Sequence, residues 1–129
     1  SPSDPVRAPR AHMGNDAHRF AHEVIERVAV QHDAAYLHSI IAAAARINFP
    51  SGVEADEMRY FVGFGKAEPT FNVTGKVEYD DYFYKPHGRM QSILTYPDRH
   101  ATISVDVLQV EGRWRIKGLY LTWEKPPES

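Results

Sequence analysis

"ATISVDVLQVEGRWRIKGLYLTWE", residues 101–124, decides the fold class. Its first half alternates: Ile103, Val105 and Val107 fall on one face, and Thr102, Ser104 and Asp106 on the other. That period of two belongs to a strand with one covered face. "EGR" at 111–113 is short enough for a tight hairpin connection. The return strand crowds aromatic and branched residues. Strict alternation puts Trp114, Ile116 and Tyr120 on one face and Leu119, Leu121 and Trp123 on the other. Both faces of this strand therefore need cover near its end.

Upstream, "RMQSILTY" (89–96) gives another strand, joined to the hairpin by the turn "PDRH". Before it, "TFNVTGKVEYDDYFY" (70–84) alternates Phe71, Val73, Val77, Tyr79 and Phe83 against Asn72, Thr74, Lys76 and Glu78. The earlier half of the chain has the helical period instead. Phe20, Val24 and Val28 stand at four-residue steps, predicting a helix from Asp16 to about Gln31 with Asn15 or Asp16 as its cap. Asp33 caps a second helix, in which Tyr36, Ile40 and Ile47 share a side and an alanine run supports helix up to Pro50. A short third helix, about Ala55 to Phe64, carries Tyr60, Phe61 and Phe64 as a lid on the core. Helices first, then about four strands joined by short turns, is an α+β pattern: helices packed on one face of an antiparallel sheet. Residues 1–14 read as a linker or vector-derived leader, 15–125 as a single domain and 126–129 as a tail.

Composition narrows the function classes. A net charge of −2 leaves no overall basic excess for nucleic acid, and Arg113, Arg115 and Lys117 read as a solvated strand face. Without cysteine there is no disulfide, thiolate metal site or thiol nucleophile. No apolar run reaches the roughly 18 residues of a membrane span, and no signal-peptide pattern opens the chain. The compartment stays open. No glycine loop that would cradle a phosphate is present, so no cofactor is expected. His18 and His22 share a helix face at metal-binding spacing, but no third ligand is obvious and an exposed surface is the expectation.

The element order, with Asp33 and Leu37 at the second helix and "VEGRWRIKGLYL" closing the sheet, resembles the nuclear transport factor 2-like (cystatin-like) fold over about Asp16 to Glu124. The resemblance implies a curved sheet wrapped round a helix as a cone whose mouth can hold a ligand, and frequent dimers through the sheet. It implies no single function: members include isomerases, dehydratases, ligand carriers and secretion-system scaffolds.

Chemistry concentrates in "VEYDDYFYKPHG", 77–88. Strand geometry turns only Asp81 towards the apolar face, near the strand's end, where a carboxylate beside a phenol could act as a general base. A bulge at Asp80–Asp81 would instead solvate both carboxylates. Asp33 is the second acid–base candidate, although cap duty accounts for it. A pocket for a small apolar ligand would be lined by Tyr36, Tyr60, Phe64, Tyr79 and Trp114. The leading expectation is a non-enzymatic interaction or accessory domain. It would associate through its sheet, with Leu119, Leu121 and Trp123 in the interface, as a homodimer or within a larger assembly of secretion type. The alternative is a small-molecule binder or a lyase- or isomerase-type enzyme using the pocket carboxylate.

Overall fold

The structure is a computed structural model, and it describes residues 7–45, 53–79 and 85–124. Three helices, α1 (Arg7–Ile25), α2 (Ala34–Ile40) and α3 (Val53–Phe64), precede four strands, β1 (Thr74–Tyr79), β2 (Pro86–Tyr96), β3 (Arg99–Val110) and β4 (Arg113–Glu124). The strands form one curved antiparallel sheet in the order β1-β2-β3-β4, with the helices on one face. Among the described residues no helix is long and apolar enough to cross a membrane.

The buried stripe of α1 and of the turn after it is Ala17, Ala21, Val24, Ile25 and Val28, each at most 1% exposed. This is the three-and-four spacing of an amphipathic helix, and the two alanines let it sit close on the sheet. Opposite lie Met90 and Leu94 of β2, Ile103, Val105 and Val107 of β3, and Ile116 of β4, all equally buried. Burying side chains of this size contributes about 1.5–3 kcal/mol each, so this layer dominates the favourable side of folding.

The helical half departs from the sequence expectation at three points. First, α1 begins at Arg7, inside the stretch read as a leader. Pro9 falls in the first turn, where a missing N–H costs no internal hydrogen bond. Asp16 is accordingly not a cap but an intrahelical residue, accepting from Arg19 at 3.1 Å. Second, the helix ends through a wide turn, Glu26–Val30. Gln31 N–H bonds the Glu26 carbonyl and Asp33 N–H the Arg27 carbonyl. His32 reverses the chain at φ 58°, a conformation more often given to glycine.

Third, α2 stops at Ile40 rather than running through the alanines. Ile41 is extended and bridges Ile116 in parallel, with Ala42 N–H donating to the Ile116 carbonyl at 2.8 Å. Pairing with the margin of β4 outweighs the helix preference of the alanine run, of which Ala43–Ala45 keeps a single 3₁₀ turn. Ile47 lies outside the described residues.

The sheet follows the alternation closely. The turn between β3 and β4 is Glu111–Gly112, both at positive φ (51° and 77°), as a two-residue hairpin requires. One irregularity changes the reading of β4. Val107 pairs with Ile116 but Asp106 with Gly118, so Lys117 is an extra residue, a bulge. Beyond it the faces exchange. Trp114, Ile116, Leu119, Leu121 and Trp123 all lie on the helix-facing side, and Tyr120 lies on the other. The apolar residues that strict alternation divides between two faces belong to one.

Candidate functional site

With one sheet face packed on helices, the other is the open surface of the protein. Its composition follows from the register. At one end Glu78 stands opposite His87. Next comes the row Lys76, Arg89, Asp106 and the Lys117–Gly118 bulge. The two central rows are Thr74, Gln91, Ser104, Tyr120 and then Ile93, Thr102, Thr122. The far row is Thr95, His100 and Glu124. The middle of the face therefore carries no charge, and charged side chains frame it at both ends. Within the middle, Ile93 is 63% and Tyr120 50% exposed, the large apolar groups of this surface.

Local chemistry fixes this arrangement. Arg89 donates two hydrogen bonds to the Asp106 carboxylate, Nε to Oδ1 at 2.6 Å and Nη2 to Oδ2 at 3.0 Å. That fork, together with the negative charge beside it, raises the Arg89 pKa further above its already high value. Arg89 is the partner of Asp106 because β2, and not the bulged part of β4, presents a guanidinium at the right register. Tyr120 lies against Gly118, where a Cβ would come within 2.8 Å of its ring. The lack of a side chain there lets the ring reach Arg89, whose guanidinium carbon is 4.9 Å from its centroid.

The surface is grooved rather than flat. A cleft of about 330 Å³ lies over Lys76, His87, Arg89 and Lys117. A second, of about 570 Å³, runs beside Phe71, Asn72, Gln91 and Ile93 where β1 starts. A third, of about 410 Å³, lies between Ile93, Thr122 and Trp123. None of the described clefts is lined by Tyr36, Tyr60, Phe64 or Trp114.

Those four residues fall into separate places. Tyr36 is half-buried on α2 under the Arg27 guanidinium, 4.1 Å from its ring centroid. Burial pushes its phenol up to about 12, helped by the charge of Glu23. Trp114 packs partly buried against the core. Tyr60 and Phe64, on α3, meet Trp123 instead, at ring-centroid distances of 5.4 and 5.2 Å. Phe64 also makes an edge contact with Tyr96 and carries Arg99 over its face at 4.5 Å. Residues expected in a pocket and a residue expected in an interface are thus one aromatic cluster at the end of β4. The side chain of Tyr79 lies outside the described residues, although its backbone pairs with Pro86.

Of the acid–base candidates, Asp81 lies outside the described residues. Asp33 caps α2: Oδ1 accepts from Tyr36 N–H and Oδ2 from Arg27, both at 3.0 Å. The backbone bond first, and Arg27 second, hold its pKa below the ordinary carboxylate value. A general base near neutrality needs the opposite shift.

The interface candidates sit on the helix-facing side. Leu119 is 6% exposed in the core, Leu121 packs partly buried on it, and Trp123 is 38% exposed. The exposed Ile93 and Tyr120 were missed. Ile93 was legible, since it is out of phase with Met90, Ser92 and Leu94 in its strand. Tyr120 was not, because only the bulge turns it outward. His18 and His22 do not pair: His18 Nδ1 donates to the Gly14 carbonyl at 2.8 Å, and His22 stacks on Phe71 at 4.3 Å. Among the described residues no group of three or more metal-ligating side chains converges.

No protein-family model, no curated protein and no solved structure matches this chain.

Proposed function

We propose that the protein is a non-enzymatic interaction or accessory domain that docks through the open face of its sheet, as part of a larger assembly. One observation carries this reading: the uncharged middle of the face, with Ile93 and Tyr120 exposed, lies between a charged row at one end and Glu124 at the other. Interfaces have that anatomy, with charge depleted at the centre, tyrosine enriched there and a polar rim. The clefts against this face are shallow depressions in which side chains of a partner would seat. An acid–base reading has less support, because the described carboxylate candidate, Asp33, is occupied as a cap. The kinship with the nuclear transport factor 2-like fold is likewise a proposal, supported by the order of helices and meander.

The test pairs wild type with Ile93→Lys, which places a charge at the centre of the face without touching the core. Each is used as bait in cells of the native host and is sedimented alone. A partner of different sequence held by wild type and lost by Ile93→Lys is the expected result, with self-association read separately in the sedimentation. Equal retention by both overturns the reading.

A further inference from the structure

The open face is not the only unpartnered part of the sheet. β4 is an end strand, and its outer margin is long. Among the described residues, one backbone hydrogen bond reaches that margin from outside the sheet, from Ala42 N–H to the Ile116 carbonyl. From Gly118 to Glu124 the margin pairs with no other described residue. Its sequence, "GLYLTW" followed by Glu124, has no proline and no charge before its end. Proteins usually blunt such an edge with lysine, proline or a covering element, because its free N–H and C=O groups template pairing with another strand.

We propose that this edge pairs with the same edge of a second copy, antiparallel about a two-fold axis at Leu121, making one continuous sheet across the dimer. Two constraints limit the register, and charge pairing selects within them. The bridge of Ile41 to Ile116 occupies the start of the edge, so an incoming strand must end by Gly118. Opposite residues must also share a face, which allows only shifts of two. With Leu121 on the axis, Gly118 faces Glu124 of the second copy, Leu119 faces Trp123, and Tyr120 faces Thr122. The bulged Lys117, beside Gly118 on the open face, then meets Glu124 of the second copy, twice by symmetry. Lys117 has no ion-pair partner within the chain among the described residues, and neither does Glu124. The edge is thus self-complementary in charge as well as in apolar content. A shift of two in the other direction would drive Glu124 into the Ile41–Ile116 bridge. This pairing does not involve Ile93 and stands or falls apart from the docking of the open face. It would double the width of that face.

The experiment is sedimentation velocity across a dilution series of the full chain, comparing wild type, Lys117→Glu, Glu124→Lys and the double variant. These positions are exposed, so the fold is retained. Each single reversal places like charges together at both ends of the pairing and is expected to weaken the dimer roughly tenfold, with the double variant restoring it. The chain has no cysteine, so Leu121→Cys reads the register independently: oxidation should link two copies, whereas Ile93→Cys should not. A wild type that stays monomeric at every concentration overturns the proposal. So does a dimer that Ile93→Lys dissolves and Lys117→Glu leaves intact, or one that the double variant fails to restore.

Discussion

Arg89 and Asp106 clasp each other across β2 and β3 on the open face, through two hydrogen bonds of 2.6 and 3.0 Å. The carboxylate side is the more enclosed, at 14% exposure against 60% for the arginine. Lys76 stands directly opposite Arg89 on the other side, so Asp106 also offsets two neighbouring cations. Removing it leaves like charges side by side, which destabilises a sheet. Asp106→Asn is expected to lower the melting temperature by a few degrees, and Lys76→Gln in that background to recover part of the loss. Thermal unfolding at low and high salt checks this: screening should narrow the gap between wild type and variant.

Asp33 gives a pH dependence of known sign. Its folded pKa lies below the unfolded value near 3.8, because the carboxylate accepts the Tyr36 N–H and pairs with Arg27. A depressed acid contributes stability that is complete above the unfolded pKa and is lost as pH falls through the folded one. Asp33→Ala should therefore be less stable than wild type at neutral pH, and the difference should shrink below pH 3.8. Denaturant midpoints measured from pH 7 down to pH 2 read it directly. A gap that is independent of pH would mean that the charge of the cap contributes nothing.

Leu119 separates two views of β4. Strict alternation puts it with Leu121 and Trp123 on a face awaiting a partner. The bulge at Lys117 returns all three to the helix-facing side, and Leu119 is 6% exposed. Leu119→Ala is therefore expected to cost about 2–5 kcal/mol of stability in the isolated chain, as large-to-small changes in a core do. A loss confined to association, with the monomer's stability unchanged, would contradict the burial. Urea unfolding at a concentration where the chain is monomeric decides between them.

Where sequence and structure part, the causes differ from place to place. The β2–β3–β4 meander was legible because one face is buried and the other open, so side-chain identity reports the register at every step. The single bulge was not, since Lys117 and Gly118 look like any polar pair between apolar residues. Everything after them was assigned to the wrong face. Alanines 42–45 favour helix on their own, and only the vacant margin of β4 draws Ile41 and Ala42 into extended pairing. The functional side suffered most. Scattered aromatics look like one pocket in a linear sequence, and Tyr36 and Trp114 are in fact apart from the Tyr60–Phe64–Trp123 cluster.

Tyr96 closes that cluster from below and yields an alkaline prediction. It is 4% exposed, its ring meets Phe64 at 5.3 Å, and its hydroxyl is buried without a hydrogen-bond partner among the described residues. Burial raises the phenol to about 12. The folded state thus resists ionising a group that titrates near 10 once exposed. Stability from this source is whole below pH 10 and is lost as pH rises towards 12. Tyr36, raised for the same reason, acts in the same window. Tyr96→Phe removes both the titration and the unpaired hydroxyl. An apolar replacement of the same shape at such a site is neutral or stabilising. The variant should match or exceed wild type at pH 7 and hold its fold to higher pH in an alkaline unfolding series followed by circular dichroism. A variant clearly less stable at pH 7 would show that the hydroxyl has a partner that matters.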